Sequence, residues 1–213
     1  MPIDPGLLTL AHWLSPAFPI GGFAFSHGLE TAICEGWITD AASLQIWLGD
    51  LLADGSGRSD AIWLTLAAKP GENALALDAE ARAFQPSYER LRETVRQGEA
   101  FARLVNDVWG TDLPSLSLPI AVGRAAGMRG LNPQETAALY LQSFVSNLVS
   151  AAVRLVPLGQ TEGQRVIAAL APLCERIASE AATAGPDDIY SNCFLSDVAA
   201  MRHETQEPRL FQS

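Results

Sequence analysis

Residues 132–156, NPQETAALYLQSFVSNLVSAAVRLV, contain the clearest helix signal in the chain. Asn132 is a good N-cap, Pro133 suits the first helical position, and Glu135 places an acid in the first turn. Apolar residues then recur at helical spacing, with Leu141, Leu148 and Leu155 in one row at heptad spacing. The pattern predicts a long helix that runs to about residue 156.

A narrow polar row follows another side of this predicted helix. Its members are spaced by four, three and four residues: Ser143, Asn147, Ser150 and Arg154. Such a row is more typical of a close helix contact or a wetted groove than of a set of catalytic groups. We therefore expect this side of the helix to face another segment or a groove.

Helical periodicity extends over most of the chain, and no segment alternates as a strand would. Helices are predicted at Leu7 to Leu14, from Phe25 toward Gly36, after a cap at Asp40, after a cap at Ser59, and at about 72–84, 87–109, 120–128 and 161–182. Residues 113–118 are the best candidate for an internal boundary. The sequence thus predicts an all-α, single-domain bundle of about eight to ten helices over residues 1–213.

Charge and composition restrict the function. The formal net charge is −10 and the isoelectric point is about 4.7, which argues against a nucleic-acid partner because the phosphates would be repelled. No Lys or Arg precedes Arg58, whereas six acidic residues do. This acidic quarter is either a solvated face or a patch that meets a basic partner.

Cysteine usage and the apolar stretches indicate a cytoplasmic protein. The three cysteines form no CxxC pair, which favours a reducing compartment. The N-terminus lacks the basic start and apolar stretch of a signal peptide. Residues 139–158 are the most apolar stretch, but Gln142, Asn147 and Arg154 interrupt it. We expect no membrane partner.

Catalytic motifs are missing from the sequence. There is no GxSxG elbow and no GxxxxGK[ST] phosphate loop, so the chain is not expected to bind GTP by itself. His12, His27 and His203 are scattered, and none has HExxH spacing to another. The sequence predicts neither an enzyme nor a resident cofactor.

Two segments are richer in unusual residues than a connector requires. Residues 15–30 read SPAFPIGGFAFSHGLE, and residues 196–213 read SDVAAMRHETQEPRLFQS. Both closely resemble the terminal signatures of the UreF family of urease accessory proteins. Residues 146–152, SNLVSAA, and 158–164, LGQTEGQ, are also similar to that family, in the same order along the chain.

The resemblance implies an all-α scaffold without its own catalysis. Such a scaffold works as a dimeric complex with the accessory protein UreD (UreH), recruits the GTPase UreG and docks on apo-urease to deliver nickel. It implies a partner-binding tail at 196–213 and these partner-facing residues: Gly21, Gly22, Phe23, Ser26, His27, Arg202, His203, Glu204, Arg209 and Phe211. The chain departs from the family at Phe25, where Tyr is common, and at Gln212, where Arg is frequent.

Three further expectations concern particular residues. An alternative function is a metallochaperone or enzyme with its own nickel site, built from Cys193, His203 and Glu204. Gly22 is expected to supply backbone freedom in the turn that follows Pro19. Pro208 is expected to stop a helix begun near residue 197, leaving an arm of residues 209–213. That arm either orders only on a partner or folds back on the core.

Overall fold

The computed structural model describes residues 4–213, and within that range it contains ten α-helices and no β-strand. Two short 3₁₀ turns lie at Gly22–Ala24 and Pro186–Asp188. The α-helices are α1 (Pro5–Trp13), α2 (Leu29–Cys34), α3 (Ala41–Asp54), α4 (Ser56–Ala68), α5 (Ala74–Ala83), α6 (Tyr88–Trp109), α7 (Leu118–Met128), α8 (Pro133–Leu155), α9 (Gln160–Thr183) and α10 (Phe194–His203). The predicted all-α class is confirmed.

The long helices begin and end where their capping residues predict. Asn132 Oδ1 accepts hydrogen bonds from the backbone N–H groups of Gln134 and Glu135 at the start of α8. Asp40 caps α3 by accepting from Ser43 N at 2.8 Å. These caps satisfy backbone donors that have no partner inside the helix, so the boundaries follow from local sequence.

Helix α4 is the centre of the molecule. Every residue from Ser59 to Ala68 is buried, because α3, α7, α8 and α9 all pack around this helix. A helix that is apolar on all sides is stable only in such a position. Two buried polar residues in α4 have partners: Thr65 donates to Ala181 O, and Asp60 accepts from Tyr140 of α8.

Several predicted details are wrong. α4 begins at Ser56, directly after Gly55, so Ser59 is not its cap; the Ser59 hydroxyl instead donates to the Gly55 and Tyr190 carbonyls. α2 begins at Leu29 and excludes Phe25, because Gly28 before it is left-handed.

Residues 113–118 are not a boundary between domains. Leu113 and Leu116 are buried in the same core as the helices. The segment is also fixed by hydrogen bonds, since Leu113 O accepts from Asn106 Nδ2 and Ser117 N donates to Asp78 Oδ1 at 2.6 Å. The described chain is a single domain around one core.

One helix among the described residues, α8, has the length and apolar content that could cross a membrane. Half of its most apolar window is buried inside the protein. Its neighbours α9, α4 and α2 cover that side. Its apolar residues are therefore explained by its position in the core.

Candidate partner-binding site

The glycine-rich segment forms a compact loop on one side of α8. Gly21 is left-handed with φ 78°, and a single 3₁₀ turn, Gly22–Ala24, follows it. Asn147 Nδ2 donates to Gly22 O at 3.1 Å, and Arg154 Nη2 donates to Phe23 O at 3.2 Å. Two members of the polar row of α8 thus hold the loop, and the Phe23 ring remains 49% exposed.

The C-terminal tail lies against this loop. Gln212 N donates to Ala24 O at 2.8 Å, and Ser26 N donates to Ser213 O at 2.9 Å. The Arg154 guanidinium stacks 4.6 Å above the Phe211 ring. The loop and the tail are therefore one structural unit, joined through α8.

Buried carboxylates anchor the tail from below. Glu30 accepts from Leu210 N at 2.7 Å and from Phe211 N at 3.0 Å. Arg209 Nη1 donates to Glu89 Oε1 at 2.5 Å, and the Ser213 hydroxyl donates to Glu93 Oε2 at 2.6 Å. Bonds to charged acceptors are stronger than neutral ones, so these contacts hold the arm against the core. Of the two alternatives for the arm, the structure has the one in which it folds back on the core.

His203 belongs to the same buried network. Its Nδ1 lies 2.6 Å from Glu89 Oε2, and its Nε2 lies 3.2 Å from Glu30 Oε2. A carboxylate can only accept, so both contacts are hydrogen bonds when the ring carries two protons. The imidazole thereby joins α10 to α2 and α6.

The predicted partner-facing residues fall into two groups. Those that reach the surface are Gly21, Gly22, Phe23, Arg202, Glu204 and Arg209. Those that are buried are Ser26, His27, His203 and Phe211. These four connect the loop, the tail and the helices beneath them. Contact of the ten residues with a partner stays a prediction.

His27 has an unusual backbone and environment. It is a non-glycine residue with φ 60°, and its ring Nε2 lies 2.7 Å from Ser56 Oγ. Burial, and secondarily the charge of Arg90, holds the pKa of His27 well below its ordinary value, so the ring is neutral at pH 7. Its position fixes the exit of the loop toward α2.

A cleft of about 620 Å³ opens beside the loop. Its walls come from α1, the loop, α6, α8 and the start of α9, and all four members of the polar row of α8 line it. Apolar residues form much of the interior, including Trp13, Phe18, Phe101 and Leu148. Of the two sequence-based alternatives for this side of α8, the structure shows the groove, and the row contacts a loop beside it.

A second surface lies on α10, whose outer side is apolar. Phe194 is 74% exposed, and Leu195, Val198 and Met201 are exposed beside it. Acidic groups border its first turn: burial, and then the charges of Asp50, Asp54 and Asp197, raises the pKa of the Cys193 thiol to about 12. Exposed apolar patches of this kind commonly mark protein interaction sites.

The alternative nickel site is not assembled. Cys193 Sγ donates to Asp50 O, and Glu204 Oε1 accepts from Tyr88 N. His203 lies between Glu30 and Glu89. Within residues 4–213, no group of three or more His, Cys, Asp or Glu side chains is placed to hold a metal ion.

Sequence reasoning missed the carboxylates that hold the tail. Glu89 and Glu93 lie four residues apart on α6, and both are buried. The sequence signal that could have indicated their burial is that they share one helix face with Gln97, a third buried polar residue. Their partners come from the far end of the chain, which helical periodicity does not reveal.

The fold is that of an all-α protein with two exposed surfaces, the loop with its cleft and the outer side of α10. The UreF family model matches residues 38–171. A urease accessory protein UreF of Cereibacter sphaeroides strain KD131 is 57% identical over 211 residues, which cover 99% of this chain and 100% of that protein. The UreF proteins of Roseobacter denitrificans and Ruegeria pomeroyi are 53% and 45% identical, over 97% and 100% of this chain and 93% and 99% of their own lengths. The chain belongs to the UreF family of urease accessory proteins.

Proposed function

We propose that this chain is a non-catalytic scaffold in the maturation of the urease nickel centre. It acts in the cytoplasm, as a homodimer within a complex with a UreD (UreH) protein. That complex recruits the GTPase UreG and docks on apo-urease. The GTP chemistry belongs to UreG, and nickel is the cargo of the assembly. Full-length similarity to UreF proteins supports this role.

The observation that carries the proposal is the apolar outer side of α10. Its exposed side chains are Phe194, Leu195, Val198 and Met201. Val198 and Met201 lie in the segment 196–213 that the family resemblance assigns to partner binding, and Phe194 and Leu195 directly precede it. Aromatic residues and Met are enriched in protein interfaces, so Phe194 and Met201 are the expected anchors. We assign this surface to the UreD-like partner.

The charges around α10 indicate the chemistry of that partner. Asp50, Asp54 and Asp197 surround its N-terminal end, and Glu204 and Glu207 are exposed beyond its C-terminal end. An apolar patch with an acidic border fits an apolar patch with a basic border. The UreD-like partner should therefore present Lys or Arg side chains around its contact.

The test is the double variant Phe194→Asp and Met201→Asp, with Ile46→Asp as the control. Ile46 is an apolar residue of α3 with a comparable exposure of 67%. The double variant should bind the UreD-like protein at least about thirtyfold more weakly, as expected for the loss of ~2 kcal/mol of interface contacts. Binding is measured by titration and gel filtration. Full affinity in the double variant, or equal loss in the control, would reject the assignment.

Equilibrium dialysis distinguishes this proposal from the alternative, in which the chain has its own nickel site. The isolated chain is dialysed against nickel and assayed for retained metal. We expect no stoichiometric tight binding, and one tightly held nickel per chain would favour the alternative. The same preparation should neither retain nor hydrolyse GTP, since the sequence has no phosphate loop.

A further inference from the structure

The cleft beside the glycine-rich loop has the dimensions and chemistry of a receptor site. Its volume of about 620 Å³ lies within the usual range of roughly 300–1,000 Å³ for binding pockets. Phe18, Phe101 and Leu148 contribute apolar wall, and Phe23 and Arg154 line it beside the loop. The cavity can therefore accept at least one apolar side chain from outside.

The acidic groups deep in the cleft already have partners. Asp60 accepts from the Tyr140 hydroxyl at 2.8 Å. Glu93 forms an ion pair with Arg90 and accepts from the Ser213 hydroxyl. A buried charge is costly unless it is paired, and these carboxylates are already paired. An incoming group therefore does not need to supply a charge at this depth. The deep part of the cleft therefore suits an apolar group.

Arg154 is different, because its charge is not neutralised. It donates from Nε to Ser150 O and from Nη2 to Phe23 O, and it stacks on Phe211. Within residues 4–213, no carboxylate lies in ion-pair distance of its guanidinium. Its exposed guanidinium can pair with a carboxylate from outside, preferably in bidentate geometry.

We propose that this cleft binds a segment of a protein partner that carries an apolar side chain next to an acidic one. The apolar side chain enters between the loop and α8, and the acidic side chain pairs with Arg154. This surface is chemically opposite to the acidic border of α10, so the two surfaces select different partners. The inference rests on the proposed function, since the segment belongs to one component of the accessory assembly.

The cleft is tested by filling it. Ser150 is half-buried and lines the cavity, so Ser150→Trp places an indole where the partner's apolar side chain would lie. Gln134→Trp, on an exposed position of the same helix away from the cleft, is the matched control. Circular dichroism and thermal melting of both variants establish that they are folded.

The charge is tested separately at Arg154. Arg154→Lys and Arg154→Gln both lose the guanidinium that donates to Phe23 O of the loop, and only Lys keeps the charge. Arg129→Glu, at an exposed arginine outside the cleft, controls for net charge. If the acidic residue of the partner pairs with this position, binding should fall in the order Arg, Lys, Gln. If Ser150→Trp does not fold, this series still decides.

Each variant is titrated separately with the UreD-like protein, the GTPase and apo-urease. Because α10 is assigned to the UreD-like protein, we expect the GTPase or apo-urease to lose at least tenfold in affinity with Ser150→Trp and with Arg154→Gln. The α10 variants should leave that partner unaffected. Unchanged affinity for all three would overturn the proposal. It is also overturned if self-association of the chain, measured by sedimentation, is the only property that changes. Loss with the α10 variants alone would leave the proposed function standing without this site.

Discussion

At the scale of single residues, the turn glycines differ in what they require. Gly22 does not have a left-handed backbone, and a Cβ there would meet Asn147 Oδ1 at an ordinary 3.7 Å. Gly21 and Gly28 are left-handed, with φ 78° and 75°. At Gly28 a Cβ would also lie 2.7 Å from Ala200 N. The predicted need for backbone freedom at Gly22 is therefore wrong, and the need lies on either side of it.

Because of this difference, alanine substitutions at Gly28 and Gly22 should have unequal effects on stability. Gly28→Ala should lower the free energy of unfolding by about 2–4 kcal/mol, because it adds left-handed strain to a clash with α10. Gly22→Ala should change it by less than about 0.5 kcal/mol. Urea denaturation of the two variants measures both effects. Equal destabilisation by the two substitutions would contradict the geometry.

At the scale of elements, the tail is a structural part of the domain. Phe211 is 5% exposed, whereas the neighbouring Leu210 is 78% exposed. The carboxylates of Glu30 and Glu89 are buried and take hydrogen bonds from the tail. Removing residues 209–213 would take these donors away and leave the two carboxylates only their contacts with His203, which is expensive in a buried site.

Phe211→Ala and Leu210→Ala should therefore behave differently. Phe211→Ala should cost about 3–5 kcal/mol, through lost burial and the lost stacking on Arg154. Leu210→Ala should cost less than about 0.5 kcal/mol. Deletion of residues 209–213 should lower the melting temperature by about 10 °C, at roughly 2–4 °C per kcal/mol for a chain of this size. A deletion variant with an unchanged melting temperature would show that the tail is not anchored.

At the scale of the whole molecule, the central helix contains an ionisable group with an altered affinity for protons. Burial raises the pKa of Asp60 from 3.8 to about 6, although the hydrogen bond from Tyr140 and the charge of Arg90 oppose the rise. The folded chain then binds this proton more tightly than the unfolded chain does. Ionisation of Asp60 between about pH 4 and 6 therefore destabilises the fold.

Asp60→Asn should remove this pH dependence while keeping an acceptor for Tyr140. Relative to the natural chain, the variant should become more stable as the pH rises from 4 to 7. The relative gain should be about 3 kcal/mol at most, since one pKa unit corresponds to roughly 1.4 kcal/mol. Denaturation across this pH range measures it, with the exposed Asp112→Asn as the control. A stability difference that does not depend on pH would refute the assignment to Asp60.

Local sequence determined the helices of this protein and most of their limits. Caps such as Asn132 and Asp40 act on backbone groups two or three residues away, and apolar periodicity follows from the geometry of one helix. The polar row of α8 was also readable, because its four residues share one face. The family resemblance also followed from local sequence, since it rests on four short segments: 15–30, 146–152, 158–164 and 196–213.

Only the tertiary structure decided which polar residues are buried. His203 meets Glu30 across 173 residues of sequence and Glu89 across 114. Helical periodicity predicts that charged residues such as Glu89 and Glu93 face the solvent. It contains no information about a distant partner whose hydrogen bonds offset the free-energy cost of burying them. For the same reason, the burial of Ser26, His27 and Phe211 could not be predicted from local sequence. Their neighbours come from the opposite end of the chain, and packing alone brings the two ends together.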